Sequence, residues 1–282
     1  MTKFTSDITT IALDPCNFEP AVWTDCATKL RLKYLANHPE LPKELKEAGL
    51  PADQAVLHIL RLECFYRETH KIEMNMGMAK FPSQASIESF DFSCSELDKS
   101  EILSLAKCDW IASHENVLFY GQPGLGKTHL AIALGKKAIV DKGYSVKFIS
   151  ANDLMAELEQ ARQQKAVDDY LRLINRADLI IVDEFGYPLM ENHPSYAALF
   201  YAFISSRYEK KSTIITTNRS VTDWPRYLGN DKDCCGAILD RFLHHSIRVC
   251  FKGQSYRQRH MRQERLSSNP DKATFAKKMT TE

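Results

Sequence analysis

From about residue 100 the chain alternates short apolar runs with longer stretches of helical spacing. Five runs rich in β-branched and aromatic residues stand at NVLFY (116–120), SVKFIS (145–150), LIIVD (179–183), STIITTN (212–218) and SIRVCF (246–251). Strand, helix, strand in that order predicts an α/β domain built on a parallel sheet covered on both faces, whose strands need no polar side. Upstream the period is different. Val22, Cys26 and Leu30 lie four apart in a stretch closed by Pro39, and Ala55, Ile59, Leu62 and Phe65/Tyr66 recur at steps of three and four, so residues 20–73 predict helices. The Ser-rich stretch that follows, with Gly77 and Pro82, has no sustained period and reads as a linker or a strap across the next domain. After about residue 258 the chain is polar. The expected organisation is a helical N-terminal domain over 1–75, a linker over 76–100, the α/β domain over 101–258 and a polar tail over 259–282.

Composition narrows the class without naming it. Of 282 residues, 44% are hydrophobic and 26% charged, as in ordinary globular proteins. No run approaches the roughly 18 apolar residues of a membrane span, and the first residues carry acids and prolines where a signal peptide has an apolar core. No membrane partner is expected, and the cytoplasm is the expected compartment. None of the eight cysteines forms a C-x-x-C pair, and Cys234 and Cys235 are adjacent, so reduced thiols are expected rather than a disulfide framework or a zinc site. The net charge of +1 hides a gradient: residues 207–282 hold 16 Lys/Arg against 8 Asp/Glu, and acids exceed bases before them. Such an excess suits a polyanion such as DNA, and equally nucleotide phosphates at a subunit interface.

Chemistry enters with GQPGLGKT, between the first apolar run and a helical stretch. Gly121, Gly124 and Gly126 let successive N–H groups point inward at phosphate oxygens, with Gln122, Pro123 and Leu125 completing the loop. The helix opening at Lys127 adds its N-terminal dipole, Lys127 a full charge, and Thr128 a hydroxyl for Mg²⁺, with His129 next in line. The run LIIVD delivers Asp183 and Glu184 at a strand's carboxyl end, where open α/β sheets bind ligands. Asp183 suits Mg²⁺ and Glu184 the polarisation of an attacking water. Asn218, at the end of the fourth run, offers a neutral amide that can orient water, although an Asn in a turn reads the same way. Met74, Met76 and Met78 read as gap-filling residues. His244 and His245 read as structural histidines, because adjacent residues on a helix diverge by about 100°.

Together GQPGLGKT, LIIVDEFGY, SSRYEKKSTIITTN and ILDRFLHHS…GQSYRQR resemble AAA+ ATPases of the IstB/DnaC type, and most of all the IstB-like transposition helper ATPases of insertion sequences. The resemblance covers about residues 20–260. It implies an AAA+ P-loop parallel sheet flanked by helices, a small all-helical N-terminal domain for partner or DNA contacts, and ATP with Mg²⁺ hydrolysed at the interfaces of a homo-oligomer. It puts sensor 1 on Asn218, the arginine finger on Arg241 and sensor 2 on Arg257. It also implies sequence-independent DNA binding and a transposase as partner. Lys136, Lys137, Arg162 and Lys165, on helices flanking the nucleotide core, are candidate DNA contacts, and each reads equally as a solvated charge. A replicative helicase loaded in the manner of DnaC is the alternative. The chain departs from the family pattern at Gln122, in the loop YPLMENHPS, and in HKIEMNMGMAKFP, which is less basic than usual.

Overall fold

The computed structural model describes residues 19–186, 195–256 and 258–259. Arg257, most of YPLMENHPS and the polar tail beyond 259 lie outside the described residues. The chain packs as two units, Met1–Lys71 and Ile72–Glu282.

The described part of the first unit is all helical: α1 (Pro20–Lys29), α2 (Lys33–Asn37), α3 (Leu41–Glu47) and the start of α4 (Ala52–Ala79). Ala27, Leu35, Leu41 and Leu45 form its core, with Trp23, Ala55, Ile59 and Leu62 packed against them. Of the apolar face expected on α4, Phe65 alone points outward. On α1 the expected face is the wrong one: Val22 and Leu30 are 54% and 69% exposed, and Cys26 is exposed too. A helix of ten residues carries apolar groups on both sides, and the largest decides. Trp23 turns inward, and its indole N–H donates to the Leu35 carbonyl at 2.8 Å. Glu63, buried in the same unit, accepts from the amides of Tyr34 (3.0 Å) and Leu35 (3.3 Å) at the start of α2, where unpaired N–H groups favour an anion.

Helix α4 runs unbroken through the expected boundary at residue 75 and ends at Ala79. After a segment that holds a short 3-10 turn (Phe92–Cys94) come α5 (Lys99–Leu105) and α6 (Asp109–Ala112). The α/β order follows: β1 (Asn116–Gly121), α7 (Lys127–Lys142), β2 (Val146–Ser150), α8 (Ala151–Gln163), α9 (Val167–Ile174), β3 (Leu179–Phe185), α10 (Tyr196–Arg207), β4 (Ser212–Thr217), α11 (Trp224–Tyr227), α12 (Lys232–His244) and β5 (Ser246–Phe251). The five strands form one sheet in the order β2-β3-β4-β1-β5, with every pairing parallel. This is the helix-covered parallel sheet expected of an AAA+ core.

The continuous apolar strands are explained by burial on both faces. Leu118, Ile180, Val182 and Ile215 point into one core with Leu154, Phe200, Phe203 and Ile238 from the helices. Their neighbours Val117, Phe119, Ile181 and Ile214 point into the other, against Leu130, Leu134 and Ile139 of α7. Side chains alternate at every step, yet along β4 and along β3 as far as Asp183 neither side meets water. At the amino ends of the strands Arg207, 2% exposed, donates to Thr213 Oγ1 (3.0 Å), Asn175 Oδ1 (3.1 Å) and the Ser212 carbonyl (2.6 Å). Burial pushes its guanidinium down to about 9, against the pull of Asp178, which leaves it charged at neutral pH.

Candidate functional site

The strand order decides what meets at the carboxyl end of the sheet. β1 leads into the glycine loop and β3 into Asp183 and Glu184, and β4 lies between them. Gly121, Gly124 and Gly126 have φ of +139°, +80° and +86°. Space as well as conformation requires glycine there. A Cβ on Gly124 would lie 2.3 Å from Ser255 Oγ, and one on Gly126 2.4 Å from the ring of Phe90.

Pro123, Gly124, Leu125, Gly126, Lys127, Thr128 and His129 line a cavity of about 400 Å³, together with Glu184, Thr216, Thr217 and Asn218. Gly121 and Gln122 do not line it; their carbonyls accept from the Lys127 ammonium at 2.8 and 2.7 Å. Asp183 is buried behind Thr128, whose hydroxyl donates to Asp183 Oδ1 at 2.8 Å. A hydroxyl and a carboxylate oxygen side by side are the hard donors that Mg²⁺ takes, so these two residues fit that ion. Glu184 has φ +59° and sits at an irregularity between Val182 and Phe185 in the β3–β4 pairing, with its side chain exposed at the cavity. A non-glycine residue held in the left-handed region inside a strand is the kind of strain that collects at functional sites.

Three sets of residues complete the site that pattern reading did not find. The first is Thr216, buried on β4. Its hydroxyl donates to Asp183 Oδ1 at 2.5 Å and accepts from the Glu184 amide at 3.0 Å. Two adjacent threonines at the end of an apolar strand were the available signal, but only the strand order brings the first of them to Asp183, while Thr217 donates to the Phe185 carbonyl at 2.7 Å. The second is the segment before α5, which supplies Ser83, Ser89, Phe90, Asp91 and Ser95 to the cavity. It is pinned by His129: Nε2 lies 2.7 Å from the Ser86 carbonyl, which can only accept, so that nitrogen carries the proton. The third is Gln254 and Tyr256, beyond β5. The Tyr256 amide donates to the Gly124 carbonyl at 3.0 Å, and Ser95 bridges Gly253 in antiparallel fashion. The glycine loop is thus held between two segments that are themselves paired.

Arg241 is not among the residues lining the cavity. It lies on α12 with its guanidinium 4.8 Å from the centre of the Tyr201 ring and donates to the Ala237 carbonyl at 3.2 Å. Among the candidate DNA contacts, Lys137 is paired with Asp141 (2.8 Å) and Arg162 with Glu159 (2.7 Å), which offsets part of their charge. Lys136 donates to Gln84 at 2.8 Å.

The family model of IstB-like ATP binding proteins matches residues 25–264. The chain belongs to this family. It is 36% identical over 237 residues to a Pseudomonas aeruginosa protein named for ATP binding in insertion sequence IS21, covering 83% of this chain and 88% of that one. A Geobacillus stearothermophilus relative, named likewise for insertion sequence IS5376, is 36% identical over 218 residues, 77% of this chain and 84% of its own. Among solved structures, the DnaC helicase loader is similar over 60% of this chain and 97% of that one, at 23% identity and a TM-score of 0.48. In this member of the family the phosphate loop and the exposed glutamate line one cavity, and the buried aspartate lies behind it. No helix among the described residues is long and apolar enough to cross a membrane.

Proposed function

We propose that this IstB-like chain is an ATP hydrolase that assists DNA transposition. In this reading it oligomerises on DNA, largely without regard to sequence, when ATP is bound, and recruits or activates a transposase in the cytoplasm. The observation that carries the chemistry is the cluster around Asp183, where the hydroxyls of Thr128 and Thr216 share one carboxylate oxygen and Glu184 stands exposed at the cavity. Thr128 and Asp183 would hold Mg²⁺, whose charge offsets that of the phosphates. Lys127 would exchange its loop carbonyls for phosphate oxygens, Glu184 would take a proton from the attacking water, and Asn218 would orient that water. Arg241 would act from a neighbouring copy, and Arg257 would read the nucleotide of its own chain. The transposition role rests on relatives named for insertion sequences. The basic excess after residue 207 supports contact with a polyanion.

Nucleotide and DNA titrations of three proteins test the proposal together. Lys127→Ala should lose ATP binding, and Glu184→Gln should bind ATP and fail to turn it over. The wild type should bind DNA more tightly with a non-hydrolysable ATP analogue, with an affinity that falls with salt by a logarithmic slope of about 0.9 per neutralised phosphate. It should also retain a partner transposase on such DNA. Normal turnover by Glu184→Gln would remove the catalytic-base assignment. DNA binding that is absent both with and without nucleotide would remove the transposition role.

A further inference from the structure

A second group of ligating side chains lies outside the ATP cavity, where α10 and α12 end. Tyr208 and Glu209 follow α10. His244 is the last residue of α12, and His245 leaves the helix at φ −119° and ψ 54°. The divergence expected of adjacent helical residues therefore does not apply, and the ring centroids lie 4.0 Å apart. His245 Nε2 is 3.3 Å from Glu209 Oε1, and one ligating atom from each of Glu209, His244 and His245 falls within 4.8 Å of the others. The Tyr208 hydroxyl is 3.1 Å from His244 Nδ1 and orients that ring. None of the four lines the ATP cavity.

We propose that Glu209, His244 and His245 form a binding site for a divalent transition-metal ion, with zinc the best fit. Two imidazole nitrogens and one carboxylate suit a borderline ion, whereas magnesium and calcium prefer an all-oxygen set. Metal–nitrogen bonds of about 2.0–2.1 Å require the ligating atoms to close in on one another. Glu209 and His244 are exposed and can turn to do so. Three protein ligands leave a fourth position for water. The ion joins the turn after α10 to the end of α12, the two helices across which Arg241 stacks on Tyr201. Its occupancy therefore stiffens the support of Arg241.

The test is a titration of the full chain, without nucleotide, with Co²⁺ followed by its visible absorption and then by displacement with Zn²⁺. Cysteines are alkylated beforehand, because Cys26 and Cys64 are exposed and thiolates compete for both ions. The expected result is one Co²⁺ per chain displaced by Zn²⁺, with affinity at least about tenfold weaker in Glu209→Gln and His245→Ala. Zn²⁺ should raise the melting temperature of the wild type and not that of Glu209→Gln. Circular dichroism checks the fold of each variant, and His244→Gln replaces His245→Ala if the latter does not fold. Absence of saturable binding to the wild type overturns the proposal, as does equal binding by the folded variants.

Discussion

Because β4 runs between β1 and β3, a single hydroxyl, that of Thr216, reaches both the carboxylate of Asp183 and the amide of Glu184. It holds the proposed metal ligand and the proposed base in fixed relation. It also satisfies the Glu184 amide at a residue whose φ of +59° resists the conformation. A hydrogen bond to a charged group contributes about 1.5–3 kcal/mol, so Thr216→Val, which keeps shape and loses the hydroxyl, should lower kcat about 10- to 100-fold. ATP binding should change little, since Lys127 and the loop amides are untouched, and Thr216→Ser should recover most of the rate. Steady-state turnover at saturating ATP beside equilibrium nucleotide binding separates the two effects. Unchanged kcat in Thr216→Val, or no recovery in Thr216→Ser, would deny Thr216 this positioning role.

Elements differ in how much of their placement the sequence carries. The five strands lie within one or two residues of the apolar runs because the central strands are buried on both faces, and even the edge runs, which carry Lys147 and Arg248, keep apolar residues on both sides. The glycine loop and the pair Asp183–Glu184 were legible for a related reason: each follows its strand directly, and the carboxyl ends of parallel strands converge. The segment before α5 was not legible as part of the site, because its contacts with Gly126 and His129 join residues about forty positions apart and leave no local period. The face of α1 was misread because a short helix gives too few repeats to outweigh one tryptophan, and the divergence of the two histidine rings was misread because α12 ends between them. The site segment yields its own prediction. Phe90 lies on Gly126, packs edge-on against Phe92 (4.8 Å) and lines the cavity. Removing an aromatic contact of this kind costs about 0.5–1.5 kcal/mol, so Phe90→Ala should weaken ATP binding several-fold, up to about tenfold, and leave kcat nearly unchanged. Equal nucleotide affinities of the two proteins, measured by fluorescence titration, would show that the segment only covers the loop.

For the whole molecule, the question is whether one chain holds a complete catalytic site. Lys127, Thr128, Asp183, Glu184 and Asn218 meet in or behind one cavity, and Arg241 does not. Its guanidinium rests on Tyr201 instead, on a helix whose far side is buried through Cys235, Ile238 and Phe242. Such a mounting holds an arginine firmly at the surface of the α10–α12 pair, as a residue serving another copy requires. A guanidinium delivered across an interface neutralises charge in the transition state and makes hydrolysis depend on assembly. Arg241→Ala should therefore bind ATP normally and lose turnover by about 10³-fold or more. Lys127→Ala should be inactive for the opposite reason, lacking nucleotide but keeping the arginine. When the two are mixed and co-assembled, some interfaces join an intact cavity on an Arg241→Ala chain to the intact arginine of a Lys127→Ala chain, and those interfaces should turn over. Activity in the mixture is expected to exceed the sum of its components and to vary with mixing ratio, reaching a maximum between the pure variants. Tyr201→Ala should lower turnover less than Arg241→Ala does, since it loosens the arginine without removing it. A mixture that assembles, as judged by light scattering, yet stays as inactive as its parts would place the role of Arg241 within its own chain.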